Sequence, residues 1–358
     1  MGKTIPRSAI GSGRTDRVSA VLVVNAGSTS LKLTVVEPDG TTRKLDSLEA
    51  APDDLAAVAH RVVHGGRRFR EPALIDDAVE RELAAVTELA PLHNTPALAA
   101  IKKSRRVLPK PPHVAIFDSA FHATMPAEAC TYALPAQFRT EFGIRRYGFH
   151  GLSVQWATER VAVPRLIVCH LGGGCSVTAV RDGRSVDTTM GFTPLEGVPM
   201  ATRPGSVDPG ALVYLLRHHL TLDALDHALE HESGLAALSG LSGDVRELER
   251  SGEPAARLAL ELFSYRIATA VGAMAVALAG MDALAFTAGI GENSALVRNG
   301  VCERLRFLGV ELDPAANAAA RPDTTISTAR ASVRVIVLRA REDLIAARAA
   351  RQLLRLAD

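Results

Sequence analysis

VLVVN (Val21–Asn25), AGSTS (Ala26–Ser30) and LKLTVV (Leu31–Val36) are followed by the Pro38-Asp39-Gly40 turn and a third β run from Thr41. This reads as strand, Gly/Ser turn, strand, Asp-Gly turn, strand, because β-branched and apolar residues suit a pleated surface while Gly, Ser, Pro and Asp interrupt it. Counting from Val21 to Arg165, the same grammar returns 144 residues later. Arg165–His170 is largely apolar, Leu171-Gly172-Gly173-Gly174-Cys175-Ser176 turns, Val177–Val180 returns, Asp182-Gly183 turns again and Ser185–Thr189 closes. A repeat of this size is a duplicated domain rather than the short unit of a solenoid. Two such domains face each other across a cleft, where ligands favour binding.

The segments between and after the hairpins alternate helix and strand. Helical patterns fall near Asp53–Ala59 and Ala78–Leu89, a strand over Val114–Phe117, and a helix from about Ser153. Gly210–His219, Leu222–His231 and Glu253–Gly280 read as helices. The strand Ala283–Thr287 runs into a third Gly turn, Ala288-Gly289-Ile290-Gly291-Glu292, and then a helix; the strand Val333–Leu338 and the helix Glu342–Leu356 follow. The expected class is α/β in two domains, which suits 358 residues at about 100–200 per domain.

Composition removes whole classes of function. With 47% hydrophobic and 22% charged residues, neither a disordered chain nor a membrane protein fits. The most membrane-like stretch, Ile267–Met281, is uncharged but short of the ~20 residues needed to span a bilayer, and reads as a buried helix. A net charge of +2 does not suit a protein that neutralises many phosphates of a nucleic acid. Cys130, Cys169, Cys175 and Cys302 form no CxxC pair, the usage of a reduced, cytoplasmic protein. Residues 1–17 lack the apolar stretch of a signal peptide and read as a flexible tail.

Three Gly-rich turns at strand ends point to a nucleotide, because backbone N–H groups and hydroxyls there can wrap phosphates. No GxxxxGK[ST] motif is present, and the last of six lysines is Lys110, so a P-loop is excluded. The protein-kinase HRD and DFG signatures are absent too. His60 and His64 have the spacing of zinc ligands on a helix, but there is no HExxH and Val62-Val63-His64-Gly65-Gly66 opposes a helix. Arg61, Asp118, His150, Arg203 and Glu342 sit in apolar or glycine-bounded runs, where an unpaired charge is expensive. Each alone fits a structural salt bridge as well as catalysis. Together they supply two arginines for phosphoryl charge, a histidine donor and carboxylates for a divalent cation or an acceptor group.

Asn25–Lys32, HRVVHGG (His60–Gly66), LAPLHN (Leu89–Asn94), FDSAFHATMP (Phe117–Pro126), YGFHG (Tyr147–Gly151), TPLEG (Thr193–Gly197) and FTAGIGEN (Phe286–Asn293) resemble the acetate kinase family in sequence and order, over roughly residues 20–350. The resemblance implies two duplicated actin-like (ribonuclease H-like) domains: 18–150, joined by the C-terminal helix 342–358, and a nucleotide-binding 151–341. It implies a cytoplasmic, homodimeric enzyme transferring the γ-phosphoryl group of ATP to acetate, with Mg²⁺ or Mn²⁺. Asp118, His150 and Arg203 would be catalytic. Arg61 would bind the carboxyl or acyl phosphate, with Val63, Leu92 and Pro194 around the methyl group. Asn25 and Glu342 would hold the metal. Lys32, His170, Leu171, Gly172, Gly173, Gly174, Asp244, Val245, Arg246, Gly289, Ile290, Gly291, Glu292 and Asn293 would contact ATP. The chain departs from the family's HLGNG at Gly173, from TRSGD at Pro204 and Ser206, and from TNEE at Ala340-Arg341-Glu342-Asp343, and its Asn25–Arg61 segment is short. A kinase for propionate or another short acid, and a nucleotide-binding actin-like protein without turnover, are the alternatives.

Overall fold

The computed structural model describes residues 20–26, 31–87 and 91–356, with the side chains of 91–93 excepted. The 1–17 tail and most of the Ala26–Ser30 turn lie outside the described residues. The first hairpin pair forms as read: β1 (Val21–Ala26), β2 (Leu31–Val36) and β3 (Thr42–Leu45) are antiparallel neighbours. To the other side of β1 lie β4 (Ala57–Val62) and β6 (His113–Phe117), both parallel, and the short antiparallel edge β5 (Ala73–Leu74).

The second sheet repeats this plan strand for strand. β7 (Arg165–Leu171), β8 (Cys175–Arg181) and β9 (Arg184–Thr188) are the antiparallel set, β10 (Ala283–Thr287) and β12 (Arg334–Val337) continue in parallel, and β11 (Thr324–Thr325) is the antiparallel edge. The order β3-β2-β1-β4-β6-β5 maps onto β9-β8-β7-β10-β12-β11.

Two expectations need correction. The helix read near Asp53–Ala59 is a turn leading into β4. Ala57, Val58 and Ala59 are fully buried between β1 and β6, and a central parallel strand covered on both faces loses the alternation that marks a strand. The third Gly turn is itself a short helix, Ala288–Asn293, entered through a left-handed Ala288. The helix Pro91–Val107, with Pro96 inside it, was not foreseen.

The helix Pro254–Leu278 is long and apolar enough to cross a membrane, but its buried side chains, Phe263, Ile267 and Val271 among them, belong to the core built on β7 and β8. It is a core helix, as the sequence suggested. The helix Glu342–Leu354 returns to the first sheet, where Ile345, Ala346, Ala347 and Ala350 pack on Val21, Val23, Ala57 and Ala59.

Candidate active site

Parallel strands in an open α/β sheet present their carboxyl ends to a common crevice. In the first sheet that edge carries Asn25 on β1, Arg61 opposite it on β4, and Asp118 just after β6. In the second, His170 on β7 lies beside Thr287 at the end of β10. Between the edges is a cleft of about 920 Å³. It is lined by Asn25, Lys32, Arg61, Val63, Asp118, His150, His170, Gly172, Gly173, Gly174, Pro194, Arg203, Gly289, Glu292 and Glu342. Residues scattered over more than 300 positions of sequence meet there.

Arg61 is the hub. Its Nε donates to Asp118 Oδ1 at 3.0 Å, its Nη2 to Asp118 Oδ2 at 2.5 Å and its Nη1 to Asn25 Oδ1 at 3.1 Å, while Glu342 Oε2 stands 3.6 Å from Nε. Burial alone would lower the guanidinium's pKa, but the Asp118 and Glu342 carboxylates outweigh it and hold it above its ordinary value. The forked pair with a fully buried carboxylate fixes the guanidinium plane as well as its charge. Burial first, and then repulsion from Asp118, push the Glu342 carboxyl up.

His150 is left-handed (φ 59°) at the head of the helix Gly151–Val161. A Cβ at residue 151 would lie 2.0 Å from the Asp118 carbonyl oxygen, so only glycine allows this helix to start against the Asp118 backbone. The His150 Nδ1 shares a 2.9 Å hydrogen bond with the Ser176 hydroxyl, and its ring stacks on His170 at 4.0 Å. His170 Nδ1 is paired in turn with the Ser153 hydroxyl at 2.9 Å, and burial, aided by Arg61, pushes its pKa down to about 4. Neutral His170 allows close stacking without adding charge. On the opposite wall Arg203 donates through Nε to Glu230 Oε2 at 2.7 Å, with both side chains 14% exposed.

The remaining expected residues divide. Leu171 is buried in the core beside the Gly172–Gly174 turn. Ile290 and Gly291 face inward on their short helix, and Asn293 folds back onto the Gly289 carbonyl. Asp244, Val245 and Arg246 do not line the cleft: Asp244 caps the helix Val245–Arg250, pairs with Arg246 at 2.5 Å and has its pKa lowered to about 2 by that side-chain bond. Leu92 sits in the helix Pro91–Val107, but its side chain lies outside the described residues. His60 and His64 are no zinc pair: His60 is on a strand and bonds His113.

The sequence model of the acetokinase family matches residues 40–348. The chain belongs to the acetokinase family. It is 49% identical over 312 residues to an acetate kinase of Synechococcus sp. (strain JA-2-3B'a(2-13)), covering 84% of this chain and 77% of that one. Among solved structures, the acetate kinase of Porphyromonas gingivalis superposes with a TM-score of 0.83 at 32% identity, over 94% of this chain and 100% of that one. The propionate kinase of Francisella tularensis subsp. tularensis SCHU S4 gives 0.85 at 32% identity, over 92% and 98%.

This acetokinase is a kinase of the α/β actin-like class with two similar domains. Its cleft also shows residues the sequence did not single out. Arg341 and Asp343 line it as a 3.1 Å pair flanking Glu342, and Lys44 reaches it from β3. Glu230, which orients Arg203, carries no motif; only the fold brings it there. Asn25 and Glu342 offer oxygen donors on either side of Arg61, and the described residues hold no cluster of three or more His, Cys, Asp or Glu that could hold a metal ion. That donor set fits Mg²⁺, which takes one or two protein oxygens and completes its shell with water and phosphate.

Proposed function

We propose that this acetokinase moves the γ-phosphoryl group of ATP directly and reversibly to acetate, giving acetyl phosphate and ADP. The observation that carries this reading is the Arg61–Asp118–Asn25 hub, facing Arg203 and His150 across one cleft. A carboxylate oxygen of the acid forms the new P–O bond as the bond to the ADP oxygen breaks. At neutral pH acetate arrives ionised, so no proton is removed from it and Asp118 need not act as a base. Its role is to hold Arg61 in the plane that receives the carboxylate. Arg203 and His150 offset charge on the equatorial oxygens, and fixed in-line geometry supplies the rest of the rate. The Ser176 hydroxyl, 2.9 Å from Nδ1, holds the His150 ring in place for this role. Asn25 and Glu342 would hold Mg²⁺, which screens phosphate charge when bound.

Val63 and Pro194 make the acyl pocket in this reading, with Leu92 as a third wall, and their moderate size favours a methyl over an ethyl group. The nucleotide lies along Lys32, the His170–Gly174 turn and the Gly289–Asn293 segment, with Asp244–Arg246 beyond it. The lobes are 18–150 with the C-terminal helix, and 151–341. A cytoplasmic homodimer completes the reading. All four cysteines are free and buried, and the helix Pro209–His218 buries none of its residues although it exposes Val213, Tyr214 and Leu216, as an interface helix would.

An ADP-release assay with acetate, propionate and butyrate tests the reading, with acetate expected to be preferred. Arg203→Ala should lower kcat by about two or more orders of magnitude with little change in ATP KM, because the charge it meets peaks in the transition state. An equal loss in nucleotide binding would make Arg203 a binding residue instead.

A further inference from the structure

The segment Thr189–Gly197 carries Pro194 into the cleft, and side chains from far away in the sequence grip it on both sides. The Tyr132 hydroxyl donates to Glu196 Oε2 and accepts the Phe192 N–H at 3.0 Å. Arg146 donates through Nη2 to Glu196 Oε1 at 2.7 Å and through Nη1 to the Thr189 carbonyl at 2.8 Å, and its guanidinium lies 5.7 Å from the Tyr132 ring centroid. From the opposite side, His64 Nε2 donates to the Phe192 carbonyl at 3.2 Å, its proton fixed on that nitrogen because Nδ1 accepts the Gly66 N–H at 2.8 Å. Gly191 completes the fit: a Cβ there would stand 1.7 Å from Glu196 Oε2 and 2.2 Å from the Tyr132 hydroxyl.

We propose that Tyr132, Arg146 and Glu196 form a positioning clamp that fixes Pro194 and thereby the width of the acyl pocket. The proposal rests on the reading of Pro194 as a wall of that pocket. Pro194 lies between Phe192 and Glu196, both held, so its ring cannot retreat without breaking a charge-assisted bond. Burial, reinforced by the bond to Glu196, pushes the Tyr132 hydroxyl's pKa up, which keeps it protonated and donating. Tyr132 and Arg146 precede the second sheet in sequence while Glu196 follows β9. The clamp therefore ties the pocket wall to the first half of the molecule, and the pocket's size is set before nucleotide arrives. It also reaches Arg203's loop, since Gly197 accepts the Ser206 N–H at 2.8 Å.

Glu196→Gln keeps the side chain's shape and removes its charge; Tyr132→Phe removes the hydroxyl and keeps the ring. For each, kcat and KM are measured with acetate, propionate and ATP, alongside thermal melting. The expected result is a shift of the propionate-to-acetate ratio of kcat/KM toward propionate by about three- to tenfold, a fraction of what one methylene is worth. The change should fall on the acid's KM, with acetate kcat and ATP KM within about twofold of wild type. A ratio unmoved in both variants, with wild type turning over acetate, overturns the clamp and leaves the acetate kinase reading standing. Loss of the folded state in both also overturns it, making the clamp a stability element. A wild type that phosphorylates neither acid sinks the acid-kinase reading, and the clamp's role in selectivity with it.

Discussion

Gly173 occupies the position where the resembling family carries an asparagine, in the turn between β7 and β8. A Cβ built on it meets nothing within 4 Å, so a larger side chain has room to enter the cleft. Gly173→Asn should restore one polar contact to phosphate, worth about 1 kcal/mol, and lower the ATP KM several-fold. An unchanged KM in steady-state kinetics would show that backbone N–H groups already complete that part of the site. At the same scale, His64, His122 and His170 are each pushed down to about 4, chiefly by burial. In the unfolded chain they titrate near 6.5, so the unfolded state binds more protons between these values. Their contribution to stability is intact above about pH 6.5 and is lost as the pH falls toward 4. Unfolding near pH 5 should take up about three protons from this group, read from the slope of unfolding free energy against pH. A flat profile between pH 6.5 and 4.5 would contradict the neutral buried histidines.

Glu230 shows how an element can serve a site it does not line. The helix Leu222–His231 holds its carboxylate 2.7 Å from Arg203 Nε, and Glu230→Gln keeps a hydrogen-bond acceptor while removing the charge that fixes the guanidinium. The expected outcome is a roughly tenfold fall in kcat, smaller than for Arg203→Ala, with ATP KM little changed. A kcat equal to wild type would mean that Arg203 is oriented without it. Nothing at Glu230 or Tyr132 announced this in the sequence, and Glu196, although inside the TPLEG motif, pointed to no partner, because their partners lie 27 to 64 residues away and meet them only through space. What was legible was local. Both triple-strand sets are bounded by Gly, Asp and Pro turns, and Arg61, Asp118, His150, Arg203 and Glu342 stood out as charges in apolar or glycine-bounded settings. β4 was misread because Ala57–Ala59 is buried on both faces. The helix Pro91–Val107 was missed because Pro91, Asn94 and Pro96 are turn residues by habit, and tertiary packing of Ala97 and Ile101 overrides that preference.

At the scale of the whole molecule, the 144-residue spacing of the hairpins was enough to foresee two sheets of one design, and the identical strand orders bear this out. The first sheet, though, is closed by a helix from the other end of the chain. Val21, Val23, Ala57 and Ala59 are covered by Ile345, Ala346, Ala347 and Ala350, some 280 or more residues later in sequence. During synthesis at about 5–20 residues per second, that apolar face stays open for tens of seconds before its cover leaves the ribosome. The first lobe therefore cannot mature as it emerges; it waits, exposed to aggregation and to chaperones, until the second lobe has been made. Glu342 rides on the same late helix, so the segment that seals the core also delivers a cleft carboxylate. A nascent chain that stops short of this helix lacks both at once, so one late step of synthesis completes the core and the cleft together.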